Sequence, residues 1–357
     1  MPQLCPELTT KLEILKQLKQ QFDLELTKVK NLDPKKSNDL ISIRDFKAKL
    51  NQTLQDLQNE LWLETPELTQ ENLKAQYEAQ VDLLRKNNLL KTLATGELGI
   101  EAIDKQEYPI PTLEQIEKMM LEEPEFFKTK INQGFVKLVL VPFGSPISSL
   151  IEAYDKALME HHQQGELLDT QNKPLGLNKG IGEKFIFDNA ELVEAEATGE
   201  LVYFPKEFSK TTHQGKTKQE LLPTQAWQVL LLEDLPDLRD KGQGKTVNGR
   251  KQLGANQSPN GYLKQLQTDQ YKGEQGLTPE SWLVYGLGHL EQTNQMIEGG
   301  ESKYDYRGCF LVGGYFKKTG SVPSAFSDRG RAQIYLDRNA SGLPISFRAG
   351  RFSVSIS

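Results

Sequence analysis

The sequence predicts an α+β domain preceded by an all-helical one, and three observations predict it. From residue 7 to about 130 apolar side chains recur at spacings of three, four and seven, the period of amphipathic helices. At Gly134 that period gives way to a continuous apolar run of strand length, FVKLVLVPF at 135–143. Beyond it the chain reads β, α, several β pieces, α, β, irregular loop, β, which is the order of an α+β domain. The expected division is therefore a helical bundle or coiled-coil hairpin at 1–130 and an α+β domain at 131–357.

The first helix carries Leu8, Leu12, Leu15, Phe22, Leu26 and Val29 on one stripe and breaks at Asp33-Pro34. The second carries Ile43, Phe46, Leu50, Leu54, Leu57 and Leu61. It is long enough to pair with the first as an antiparallel hairpin or to self-associate. Thr65-Pro66 reads as the cap and first turn of a third helix with Leu73, Tyr77, Val81 and Leu84 inward. A further helix opens at Thr112, with Ile116, Met119 and Met120 on its apolar side.

After the strand at 135–143, Pro146 opens a helix whose buried face is Leu150, Ile151, Tyr154, Ala157 and Leu158. His161 and His162 sit at its C-terminal end, where positive charge suits the helix dipole. Residues 185–187, 200–205 and 227–232 read as short strands. The stretch 236–276, rich in Gly, Lys, Gln and Asn, reads as surface with little regular structure. Thr278-Pro279 is a strong helix start, an N-cap followed by proline at the first helical position, and the helix runs to about Ile297. Cys309 to Phe316 reads as one core strand, and 351–356 as a closing strand. Between them, residues 317–350 sustain no period and are rich in Ser, Arg, Gly, Asp and Asn, with Phe326, Tyr335 and Phe347 spaced through them. Small polar residues interleaved with rigid aromatics make the composition of a binding surface.

Composition narrows the class. With 37% hydrophobic and 26% charged residues the chain is globular, and no apolar run approaches the roughly 20 residues of a membrane span. The opening residues lack a basic region followed by an apolar one, so the expected location is the cytoplasm. Two cysteines, Cys5 and Cys309, give no disulfide framework. The net charge is −6, yet residues 303–351 hold nine Lys or Arg against three Asp, a local +6 that leaves −12 elsewhere. We read the basic stretch as soluble surface and contact-forming arginine rather than as a nucleic-acid site.

Catalytic motifs are poor. The run Gly242-Gln243-Gly244-Lys245-Thr246 lacks the first glycine of a phosphate-binding loop, since Arg239 stands there. The four histidines have no nucleophile beside them, and no metal-ligating spacing occurs. The acidic cluster Glu233, Asp234, Asp237 and Asp240 reads as a solvated turn, and Cys309 as an inert core thiol. No cofactor is expected.

The phrases LTPESWLVYGLGHLEQTNQ, CFLVGGYF, VPSAFSDRGRAQIYLDRN and the closing Gly-Arg-Phe-Ser-Val-Ser-Ile resemble the variable proteins of diversity-generating retroelements, in particular those of candidate-phylum bacteria. GELVYFPKEFSK at 199–210, WQVLLLEDLP at 227–236 and GKTVNGRKQL at 244–253 belong to the same resemblance, which covers about 135–357. It implies a C-type-lectin-like fold, shared with formylglycine-generating enzymes, whose last strands and loops display diversified side chains over a variable segment of about 322–350. It implies framework positions at Val322, Pro323, Ala325, Gln333, Tyr335, Arg351, Val354 and Ile356. The implied variable, ligand-binding positions are Phe326, Ser327, Asp328, Arg329, Arg331, Asp337, Arg338, Asn339, Ser341, Ser346 and Arg348. The cysteines and calcium-binding tripeptides of animal lectins are missing, as is the cysteine pair of formylglycine-generating enzymes.

The expected function is thus non-catalytic recognition of a protein or surface ligand. The alternatives are an enzyme using the acidic loop or Cys309, and a structural adaptor working through the N-terminal helices.

Overall fold

A computed structural model describes residues 68–170, 172–175, 184–187, 189–233, 246–298, 308–328, 333–345 and 348–356. The first two expected helices lie outside the described residues. Residues Glu64–Ser357 form one compact unit. It opens with α1 (Gln70–Lys86) and an antiparallel three-stranded sheet, β1 (Lys91–Thr92), β2 (Leu98–Glu101) and β3 (Glu107–Pro109). Then come α2 (Leu113–Glu122), α3 (Pro124–Asn132), β4 (Phe135–Val141) and α4 (Ile147–Gln163). The middle of the chain supplies β5 (Ile186–Phe187), α5 (Ala190–Ala197), β6 (Leu201–Tyr203), β7 (Lys216–Thr217), α6 (Lys218–Gln225) and β8 (Gln228–Glu233). There follow β9 (Thr246–Val247), β10 (Arg250–Lys251), α7 (Pro259–Leu266), a single 3-10 turn at Asp269–Tyr271, β11 (Glu274–Gly276) and α8 (Pro279–Thr293). The closing strands are β12 (Gly308–Phe310), β13 (Gly314–Phe316), β14 (Ser321–Asp328), β15 (Gln333–Ala340), β16 (Arg348–Gly350) and β17 (Phe352–Ser355). The architecture is mixed α+β. Among the described residues no helix is long and apolar enough to cross a membrane.

Two sheets organise it. One is four-stranded and antiparallel, in the order β11-β17-β8-β4, so the strand at 135–141 and the closing strand share a sheet with β8 between them. The other runs β16-β12-β14-β13-β6-β7, with β15 on β14 and β5 on β15. Helix α8 lies at the centre. Every residue from Pro279 to Leu290 is buried, and the one carboxylate among them, Glu280, is paired with Lys218. A capping box between Thr278 and Ser281 starts it, and Asn294 ends it in the left-handed conformation at φ 60°. It packs closely on α4 because Gly286 has no side chain: a Cβ there would lie 2.9 Å from Tyr154.

The described compact unit Glu64–Ser357 includes residues on both sides of the expected boundary near 130. The reason is visible on α1. β4 is an edge strand, and two glutamines of α1 occupy its free backbone groups. Gln76 accepts from Leu138 N at 2.8 Å and donates to Val136 O at 2.9 Å, while buried Gln80 accepts from Leu140 N at 3.2 Å. An edge covered in this way is closed to further strands, and α1 is thereby part of the α+β body. Its N-cap is Thr69, whose hydroxyl accepts from Asn72 N at 3.1 Å, rather than Thr65. Residues 91–109, expected within the helical stretch, form the three-stranded sheet instead. Gly96 makes its first turn at φ 87°, and Ile100 alternates inward.

Three further expectations change. Residues 309–316 make two strands, not one, separated at Leu311–Gly313. Gly313 there approaches the backbone of Gly276 and Leu277 so closely that a Cβ would lie 2.4 Å from Gly276 O. The stretch 236–276 includes buried β11 and the fully buried Arg250. Residues 321–328 and 333–340 form two paired eight-residue strands rather than an irregular loop. β14 is buried on both faces, so small residues replace the apolar alternation a half-exposed strand would show.

Candidate functional site

Register decides which expected site residues meet. β14 pairs antiparallel with β15 from Ser321↔Ala340 to Asp328↔Gln333. Opposed residues share a face and successive ones alternate. Ser324, Phe326 and Asp328 therefore lie on one face with Gln333, Tyr335, Asp337 and Asn339. Arg348 joins them, because Gly308 of β12 is paired with both Phe326 and Arg348. We call this the outer face. The inner face carries Ser327, Leu336 and Arg338 toward the helices: Ser327 Oγ donates to Ile297 O at 2.9 Å, and Arg338 Nε lies 2.8 Å from Glu191 Oε2 of α5.

The outer face has an aromatic centre and a polar margin. Phe326 and Tyr335 are stacked, and Phe187 of β5 lies 6.1 Å beyond Tyr335. The Arg348 guanidinium sits 4.6 Å over the Phe326 ring. Ser324 Oγ accepts from Asn339 Nδ2 and from Arg348 Nη1, the latter at 3.0 Å. Burial lowers the pKa of Arg348, and the Asp337 carboxylate opposes that shift. Asp337 is exposed, and Phe326, Tyr335, Asn339 and Ser341 are half-buried.

The expected positions thus divide. Phe326, Asp328, Asp337, Asn339 and Arg348 are brought together on the outer face, and Ser341 follows directly on β15. Ser327 and Arg338 face the other way. Ser327, Asp328 and Arg348 are buried, which an openly displayed loop would not give. Arg329, Arg331 and Ser346 lie outside the described residues. Of the framework positions, Val322, Ala325, Gln333, Val354 and Ile356 are at most 2 % exposed. Ser324 and Phe187 belong to the face and were missed. The period-two run Val322, Ser324, Phe326, Asp328 was the available signal.

The rival sites are internally occupied. Glu233, the described member of the acidic cluster, accepts from Arg250 Nη1 at 2.8 Å and from Gln252 Nε2 at 2.9 Å. Arg250 also holds Glu274 side-on, through Nε at 2.8 Å and Nη2 at 2.6 Å, and Lys130 reaches the same carboxylate at 2.7 Å. Phe135 covers the Arg250 guanidinium at 4.7 Å. Asp234, Asp237 and Asp240 lie outside the described residues. A second network joins Lys218 to Glu196 and Glu280, and Tyr203 donates to Glu280 at 2.6 Å. Burial raises the pKa of Glu196 despite Lys218, and Glu196 also accepts from Ile147 N at the start of α4. Cys309 is fully buried, and burial pushes its thiol far above the ordinary range. His289 is buried on α8. Among the described residues no group of three His, Cys, Asp or Glu side chains is placed to hold a metal ion.

Compared with known proteins, the chain matches no family model, no curated protein and no solved structure.

Proposed function

We propose that this protein is a non-catalytic, ligand-binding display protein, with a C-type-lectin-like scaffold and a segment at 322–350 diversified by a retroelement. The observation that carries the reading is the outer face of β14 and β15. It gathers Phe326, Tyr335, Asp337, Asn339 and Arg348 on a sheet whose other face is core. Stability resides in the scaffold beneath, so side chains at the margin can change without rebuilding the fold. The lectin-like assignment is supported by the closing strand β17 returning to the sheet of β4 and by the two helices α4 and α8 packed behind. The non-catalytic reading is supported by the burial of Cys309 and by the mutual pairing of the buried acids with Arg250, Lys130 and Lys218.

The ligand is a protein or another surface presented to this face. The test of diversification is genetic. The 3′ end of the gene should have a near-copy beside a reverse transcriptase gene, with the differences confined to template adenines. A complete genome without that repeat removes the diversification claim and leaves a binding face to be tested on its own.

A further inference from the structure

Two buried carboxylates share a single lysine where α5, α6 and α8 meet. Lys218 Nζ pairs with Glu196 of α5 and, at 2.9 Å, with Glu280 of α8. The Glu280 side chain is fully buried, and those of Lys218 and Glu196 are 2 % and 6 % exposed. The other neighbours are uncharged. Tyr203 of β6 donates to Glu280 Oε1 at 2.6 Å, and Lys218 donates to the Ser145 carbonyl at 3.0 Å. The Phe143 ring lies 5.2 Å from the ammonium. Among the described residues no other ion pair reaches these three side chains. The cluster thus holds one cation for two acids. The other buried networks are balanced: Arg250 and Lys130 face Glu233 and Glu274, and Arg351 faces Glu298.

An unmatched carboxylate out of water is costly. The Ile147 amide at the start of α4 donates to Glu196, and Glu280 stands in the first turn of α8, so each acid meets the positive end of a helix. Those partial charges offset less than an unpaired buried charge costs. Glu280 Oε2 is buried and accepts no hydrogen bond among the described residues. We infer that Glu196 and Glu280 hold one proton between them at neutral pH, so that this junction is charge-balanced only while the proton is bound. Burial raises the pKa of Glu196, and Glu280 adds to the rise while Lys218 opposes it. The proton belongs to the pair, as it does for any two strongly interacting acids. Losing it sets an uncompensated charge against α5, whose Glu191 also pairs with Arg338 of β15. Unfolding frees both acids to ionise. Stability therefore falls as pH rises from the ordinary carboxylate range through the point where the folded pair gives up its proton.

The test uses the full chain, labelled with carbon-13 at glutamate, and follows the side-chain carboxyl resonances. At neutral pH the wild-type chain should show a neutral carboxyl that titrates on the alkaline side. That resonance should be missing from Glu196→Gln and equally from Glu280→Gln, because either replacement leaves one acid to one lysine. A wild-type chain without it overturns the inference, and so does a resonance that persists in either variant. If a variant does not fold, the carboxyls of Glu196 and Glu280 are assigned in the wild-type chain through the bonds to their own backbones. Their shifts must then sum to one neutral and one ionised carboxyl, and any other sum overturns the inference. Urea denaturation gives a second reading. From mildly acidic to mildly alkaline buffer the wild-type midpoint should fall further than that of Glu196→Gln, and equal falls would overturn the inference too.

Discussion

Phe326 and Tyr335 stack across β14 and β15 with ring centroids 4.9 Å apart and planes 10° from parallel. The resemblance implied a changeable position at Phe326 and a framework position at Tyr335. Their geometry makes them one unit, with Arg348 against the Phe326 ring. Offset aromatic pairs contribute beyond their buried area, so a double-mutant cycle of Phe326→Ala and Tyr335→Ala should show a coupling of about 0.5–1.5 kcal/mol. Urea denaturation of the four variants measures it. Additive losses would mean that the stack contributes nothing of its own.

Tolerance within 322–350 should follow the face and not the composition. Alanine at Asp337 or Ser341 should each change stability by no more than about 0.5 kcal/mol. Ser327→Leu places a larger side chain in a site 2 % exposed and removes the bond to Ile297 O. Such overpacking typically costs about 1–3 kcal/mol. Thermal denaturation separates the two groups, and equal tolerance at Ser327 and Asp337 would contradict the assigned register.

The glutamines of α1 should be worth more than surface residues. Replacing Gln80 by Leu leaves the Leu140 amide without its acceptor, and an unsatisfied buried donor costs about 1–3 kcal/mol. Amide exchange at Leu138 should accelerate in Gln76→Leu, and exchange at Leu140 in Gln80→Leu. Unchanged protection in both would show that α1 does not close the sheet edge.

Arg250→Ala removes the arginine shared by two carboxylates, leaving Glu274, fully buried at its side chain, with Lys130 alone. Breaking a buried pair from one side costs about 3–5 kcal/mol. The exposed pair between Lys91 and Glu101 is the control, where Lys91→Ala should leave the denaturation midpoint nearly unchanged. Chemical denaturation of both variants tests the contrast, and a mild Arg250→Ala would place the network outside the stabilising core.

Cys309 gives a pH dependence with a definite sign. Its thiol pKa is raised in the folded chain by burial, so above the ordinary thiol range the unfolded chain loses a proton that the folded one keeps. Stability therefore falls as pH rises through that range. Cys309→Ala should flatten this alkaline decline, while iodoacetamide should label Cys309 only on unfolding. Rapid labelling of Cys309 itself in the native protein, located by peptide mapping, would restore the possibility of a reactive thiol.

Local chemistry made the helices and apolar strands legible. Thr112 and Thr278 are N-caps where the sequence puts them, and Pro146 precedes α4. The runs at β4 and β8 are apolar enough to be strands in any surroundings. Each of these signals acts over a few residues, through one hydroxyl, one proline ring or one continuous stretch of side chains. The site was legible as a composition: aromatics spaced among small polar residues at 317–350.

What the sequence by itself determined is the α+β class, the positions of α2, α4, α8, β4 and β8, and the segment where the candidate face lies. Tertiary structure alone decided the rest, because those features depend on partners distant in the chain. Gln76 and Gln80 become structural only where β4 presents an unpaired edge. Arg250 can be buried only where Glu233, Glu274 and Phe135 converge on it. Phe326 and Arg348 belong to one surface, and Ser327 to the opposite one, because the pairing of β14 with β15 and of β12 with β16 fixes the side to which each residue points.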